Sequence, residues 1–193
     1  MRSRHPFADT SLPRLWLMTD ERMGERLLPS VAALPQGSGV IFRHHATPLA
    51  ERRKLFRKLR RIADARWLLL LLAGDAGTAI RWGADGIHVR GGRADAPARA
   101  RAARRYGLVV TQSVHDEIEL HRANRGGAAP IISPVFATRS HGGSATLGTE
   151  GFAALARRAK APAIALGGMT PARFAQLPEA WGWAAIDALT VER

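Results

Sequence analysis

The chain has 193 residues, no cysteine, 46% hydrophobic and 23% charged residues, and a formal net charge of +13. This composition excludes a disordered polar chain, a disulfide framework and thiolate chemistry, and it fits a reducing cytoplasmic setting. The basic start, Met1-Arg-Ser-Arg-His-Pro6, has no apolar core behind it, and the longest apolar run, residues 67–73, is too short to span a membrane.

Strand and helix patterns alternate along the sequence. Residues 15–19 form a short apolar run behind Pro13 and predict the first strand. A helix over 22–34 follows and stops at Pro35-Gln-Gly37. Residues 39–42 predict the second strand. Thr47-Pro48 then reads as an N-cap followed by proline at the first helical position, opening a helix to about residue 65. Residues 67–72, continuously apolar, predict a strand buried on both faces. Next come a short helix over 75–82, a strand over 86–89, an Ala/Arg helix over 97–106 closed by Gly107, and a strand over 108–112. Asp116 opens a helix to Arg125, with acids early and arginine late. A strand starts at Pro130, a Gly/Ser-rich loop spans 140–148, and a helix covers about 150–160. Residues 163–166 predict the seventh strand, Thr170-Pro171 caps the next helix, and 183–189 predict the eighth strand.

Eight strands alternating with helices predict a (β/α)8 barrel, with an open doubly wound sheet as the alternative. No G-x-G-x-x-G follows the first strand. The expectation is one domain over residues 1–193, a compact barrel lacking or truncating its eighth helix. The flank left there is either bare or covered by a partner subunit in a homodimer.

The positive charge is almost all arginine, since lysine occurs only at Lys54, Lys58 and Lys160. The basic runs at 52–54, 57–61 and 101–105 fall on predicted helices. They read foremost as solvated helix faces, next as attraction for an anionic small molecule, and last as a nucleic-acid surface.

Two segments carry the candidate site. Ile132-Ser-Pro-Val-Phe-Ala-Thr-Arg-Ser-His141 and Leu166-Gly-Gly-Met169 are apolar runs that end in small, hydroxyl or glycine residues. Strand exits of this kind form the ligand-binding mouth of parallel α/β folds. Thr138, Ser140 and His141 supply donors there, and Gly167-Gly168 lets backbone N–H groups approach an anion. Arg43, His45 and Ser113 stand at the ends of the second and fifth strands. Arg43 is either ligand-facing or in a structural ion pair, and His45 and His141 are either anion contacts or solvated. His88 is either a packed core residue or a ligand contact. Asp20 reads as a helix cap before a catalytic acid, and Asp85 as a turn former.

In order, Leu17-Met-Thr-Asp20, Phe42-Arg43, Gly83-Ala-Asp-Gly-Ile-His-Val89, Ser113-Val-His115, Ser133-Pro-Val-Phe-Ala-Thr138 and Ala165-Leu-Gly-Gly-Met169 resemble motifs of the thiamine phosphate synthase family and its thiazole tautomerase-like relatives. The resemblance covers about residues 14 to 189. It implies a TIM barrel whose activity is transfer: a hydroxymethylpyrimidine diphosphate joins a thiazole phosphate in thiamine biosynthesis, and pyrophosphate leaves. Residues standing at positions of the family's site, as candidates for substrate and phosphate binding, are Arg43, His45, Ser113, Thr138, Ser140, His141, Gly167 and Gly168.

The family pattern breaks in its charged half. The Q-x-R-x-K segment reads Ile41-Phe-Arg43-His-His45. Ala73-Gly74 replaces the Asn-Asp that holds Mg²⁺ and pyrophosphate, with Asp75 one position late. Arg93 stands at the position of a second metal acid, and His141 at that of the loop lysine. Asp187 replaces a small residue of the last phosphate turn, and Pro134 replaces the tautomerase histidine. The resemblance thus implies Mg²⁺, yet the sequence lacks its carboxylates. The expected partner is a phosphorylated small molecule, with no membrane. A non-catalytic binding or regulatory relative is the alternative function.

Overall fold

In a computed structural model, which describes residues 12–138 and 145–191, eight parallel strands close into a barrel. They are β1 (Leu15–Met18), β2 (Gly39–Phe42), β3 (Leu69–Ala73), β4 (Gly86–Val89), β5 (Val109–Val114), β6 (Ala129–Ile132), β7 (Ile164–Leu166) and β8 (Gly182–Ala185). Each pairs with the next, and β8 pairs with β1 through Leu15 opposite Trp183. The helices are α1 (Leu27–Ala33), α2 (Leu49–Arg66), α3 (Ala76–Trp82), α4 (Ala96–Arg105), α5 (Glu117–Gly126), α6 (Gly148–Arg158) and α7 (Pro171–Phe174).

Alternation along each strand builds two kinds of core. Trp16, Met18, Ile41, Leu69, Leu71, Ile131, Ile164 and Ala184 pack together inside the barrel. The intervening residues, among them Val40, Phe42, Leu70, Leu72 and Ile87, pack outward against Val31, Phe56 and Leu59 of the helices. The run 68–72 is continuously apolar because it serves both layers, and each fully buried leucine there contributes about 2 kcal/mol. Trp16 fills the interior beside Gly39, where an added Cβ would lie 2.1 Å from the indole. The indole Nε1 donates to the carbonyl of Pro13 at 2.7 Å.

Four sequence expectations need correction. The first predicted helix is split: a 3-10 helix over Glu21–Arg26 precedes α1, and Gly24 (φ 51°, ψ −127°) breaks the run. Pro48, not Thr47, is the residue capping α2, and no side-chain bond caps that helix. Asp85 is more than a turn former. Its Oδ2 accepts from the N–H of Leu70 and from Arg60 Nη1, both at 2.7 Å, which ties β3 to α2. Finally, β8 ends at Ala185, and Asp187–Leu189 is a 3-10 turn. Among the described residues no α-helix follows β8. The flank is not bare, however: Leu189 packs into both outer clusters, and the N–H of Val191 donates to Ser30 Oγ at 3.0 Å.

Among the described residues no helix is long and apolar enough to cross a membrane. Much of the arginine is paired, as in Arg93 with Asp95 and Arg157 with Glu179.

Candidate functional site

The strand ends converge on one mouth. Met18 leaves β1 into Thr19 and Asp20, and Phe42 leaves β2 into Arg43. The N–H of Arg43 donates to Thr19 Oγ1 at 3.1 Å, its Nε donates to the Thr19 carbonyl at 2.7 Å, and its Nη2 reaches Asp20 Oδ2 at 2.9 Å. Asp20 also caps the following turn by accepting from the N–H of Arg22. The hydrogen bond from the Arg22 side chain, outweighing the cost of burial, holds the Asp20 carboxyl below its ordinary pKa. Burial lowers the pKa of Arg43 against the pull of Asp20, but a guanidinium remains charged at neutral pH. Of the two alternatives for Arg43 the ion pair is present, with Asp20, and the residue also lines a cavity.

That cavity measures about 200 Å³ and opens at the ends of β1, β7 and β8. Arg43, Thr138, Gly167 and Gly168 line it together with Asp187 and Ala188. Gly167 (φ 99°) and Gly168 (φ 60°) turn the chain in a conformation that other residues resist. They also lie against the loop after β6, where a Cβ on Gly168 would come 2.4 Å from the Ala137 carbonyl. A larger, open depression of about 440 Å³ lies away from the mouth, on α6 and residues 176–179, and its Arg157 and Glu179 bind each other.

A polar strip crosses the barrel interior on β4 and β5. His88 places Nδ1 2.9 Å from Thr111 Oγ1 and Nε2 2.9 Å from Ser113 Oγ. Burial, assisted by Arg43 and His45, pushes its pKa down to about 3, so the ring is neutral at pH 7. His88 is thus a satisfied core residue that also fixes the Ser113 hydroxyl. Thr111 is a member of this strip that strand periodicity could have flagged, since it alternates in register with Ser113.

A second group sits over β2 and β3. His44, with φ 44°, is buried; its Nδ1 meets Thr19 Oγ1 at 3.0 Å and its ring stacks on Phe42 at 4.7 Å. Burial lowers its pKa despite Glu21 and Asp20. His45 is exposed, yet crowding by neighbouring atoms, then Arg52, Arg43 and Arg90, lowers its pKa. Arg52 belongs to a basic run that the sequence assigns foremost to a solvated helix face. It is instead a clamp: Nε donates to the Arg43 carbonyl at 2.9 Å and Nη2 to the Ala73 carbonyl at 2.8 Å. Its guanidinium lies over the rings of Phe42 and Trp82. The signal available in the sequence was its place in the first turn of the helix leaving the mouth. Ser140 and His141 lie outside the described residues.

The family described as thiamine monophosphate synthase matches residues 15–189. The chain belongs to that family. A thiamine phosphate pyrophosphorylase from Pyrococcus furiosus superposes with a TM-score of 0.77 at 22% identity, over 94% of this chain and 89% of that one. FabK from Thermotoga maritima gives 0.71 at 17% identity, over 92% of this chain and 59% of that one. At these identities the likeness concerns the fold. No curated protein matches the chain.

Membership of the thiamine monophosphate synthase family raises the question of Mg²⁺, which takes oxygen ligands in octahedral geometry. The residues here do not fit it. The Ala73 carbonyl already accepts from Arg52. Asp75 turns away to cap α3, accepting from the N–H of Thr78 at 2.9 Å. Arg93 forks onto Asp95. Among the described residues no three His, Asp or Glu side chains gather to hold a metal.

Proposed function

We propose that the protein is a thiamine phosphate synthase-like transferase, joining a hydroxymethylpyrimidine diphosphate to a thiazole phosphate. In this reaction the bond between the pyrimidine methylene and the diphosphate oxygen breaks, and its electron pair leaves with pyrophosphate. The thiazole nitrogen then donates its lone pair to the methylene carbon, giving thiamine phosphate. No proton need be taken from either reactant in that exchange, so the protein's task is to orient two ligands and stabilise departing negative charge.

The observation that carries this reading is the convergence of Arg43, Thr138, Gly167 and Gly168 on one cavity. Gly167 and Gly168 would carry the thiazole phosphate, as backbone turns after the seventh strand of such barrels do. Ser113 would orient the pyrimidine, and Arg43 would face the diphosphate. Incubating the purified protein with both phosphorylated substrates, and detecting thiamine phosphate, tests the proposal. No product at high enzyme concentration overturns it.

One observation favours a second reading. Asp187 lines the cavity where the thiazole phosphate would sit, and like charge repels phosphate. A non-catalytic relative that holds a phosphorylated ligand elsewhere in the mouth, away from Asp187 and without turnover, accommodates this. Calorimetric binding of thiamine phosphate with no product formation supports it, and absence of binding excludes it.

A further inference from the structure

The corner of the mouth above β2, β3 and β4 is built around a fixed cation. The Arg52 guanidinium is held by two main-chain carbonyls, of Arg43 and Ala73, and by two aromatic faces. It thus spans the ends of β2 and β3. Around it stands His45, whose ring feels the charges of Arg52, Arg43 and Arg90. The acids nearby already have partners. Asp20 lies between Arg22 and Arg43, Glu21 accepts from the N–H of Ala46 at 3.0 Å, and Asp75 caps α3.

A divalent cation has no place here, because the Ala73 carbonyl at the β3 end already accepts from a guanidinium and like charge surrounds it. An anion, in contrast, meets permanent positive charge directly. We propose that this corner binds the diphosphate end of the substrate without a divalent cation, with Arg52 as the resident charge and Arg43, His45 and Arg90 as the contacting groups. The inference rests on the reading that the mouth takes a diphosphate substrate. A guanidinium fork suits it, since its N–H groups pair with phosphate oxygens and need no dehydration of a metal ion. When the carbon–oxygen bond breaks, the charge that gathers on pyrophosphate falls on protein side chains.

Calorimetry with inorganic pyrophosphate, once in EDTA and once in excess Mg²⁺, tests this. Saturable binding is expected in EDTA, with no gain on adding Mg²⁺. The single variants Arg90→Ala and His45→Ala, both at exposed positions, are expected to bind about tenfold more weakly in EDTA with unchanged thermal midpoints. Arg52→Ala loses binding too, although its lost clamp also lowers stability. Binding that requires Mg²⁺ overturns the inference, as does wild-type affinity in both Arg90→Ala and His45→Ala. The two readings separate cleanly: pyrophosphate bound in EDTA without turnover leaves this inference and removes the synthase, whereas turnover that depends on Mg²⁺ does the reverse.

Discussion

His88 Nε2 and Ser113 Oγ lie 2.9 Å apart on neighbouring strands inside the barrel. The other ring nitrogen meets Thr111 Oγ1 at the same distance. A neutral imidazole has one donor and one acceptor, so one hydroxyl must donate to it and the other must accept. The ring thereby sets whether Ser113 offers a ligand its proton or its lone pairs.

The His88 pKa of about 3 lies below its ordinary 6.5, so the unfolded chain binds more protons between those values. Stability is full above about pH 6.5 and falls as the pH drops toward 3, by up to about 1.4 kcal/mol per pH unit. Urea unfolding of the wild type should show a lower midpoint at pH 5 than at pH 7. His88→Gln should flatten that slope, and His44 and His45, shifted in the same direction, should contribute to what remains. Identical slopes in wild type and variant would contradict a buried neutral His88.

Asp85 holds the Leu70 N–H and Arg60 at once. Asp85→Ala leaves a strand N–H unsatisfied and should cost about 2 kcal/mol in denaturant unfolding, with a smaller loss for Asp85→Asn. A loss near zero would restore the simple turn-forming role.

Gly168→Ala forces a side chain into positive φ and against the Ala137 carbonyl. A loss of about 1–3 kcal/mol is expected, together with weakened binding of thiamine phosphate. Unchanged binding would separate the glycine turn from the ligand.

Asp187 faces the same cavity. Asp187→Ser should raise affinity for inorganic phosphate about tenfold, because a repelling charge is replaced by a hydroxyl donor. Calorimetry at fixed ionic strength reads the change; equal affinities would place the anion elsewhere.

Strand order was legible because buried parallel strands leave short apolar runs between turn signals, as at Leu69–Ala73 and Ile164–Leu166. Arg43, Gly167 and Gly168 were legible because strand exits make barrel mouths. Long-range partners were not. Asp85 shows turn chemistry locally, and only the barrel brings Arg60 to it. Arg52 looks like its exposed neighbours in composition, and only the α2 packing turns it over Phe42 and Trp82. Gly24 gives no local sign that it will split a helix rather than sit in one. Asp187 falls within the apolar run 183–189 that predicts a strand, while the 3-10 turn that holds it goes with Leu189 packing against the outer clusters.

The junction of β8 with β1 is sewn by partners remote in sequence. Arg14 Nε donates to the Trp181 carbonyl across 167 positions, Trp181 Nε1 to the Leu12 carbonyl across 169, and Val191 to Ser30 across 161. Such contacts carry the largest loop-closure entropy in the molecule and return nothing until nearly the whole sheet has curled round. The junction is therefore the clasp of the barrel, expected to fasten late as the chain folds.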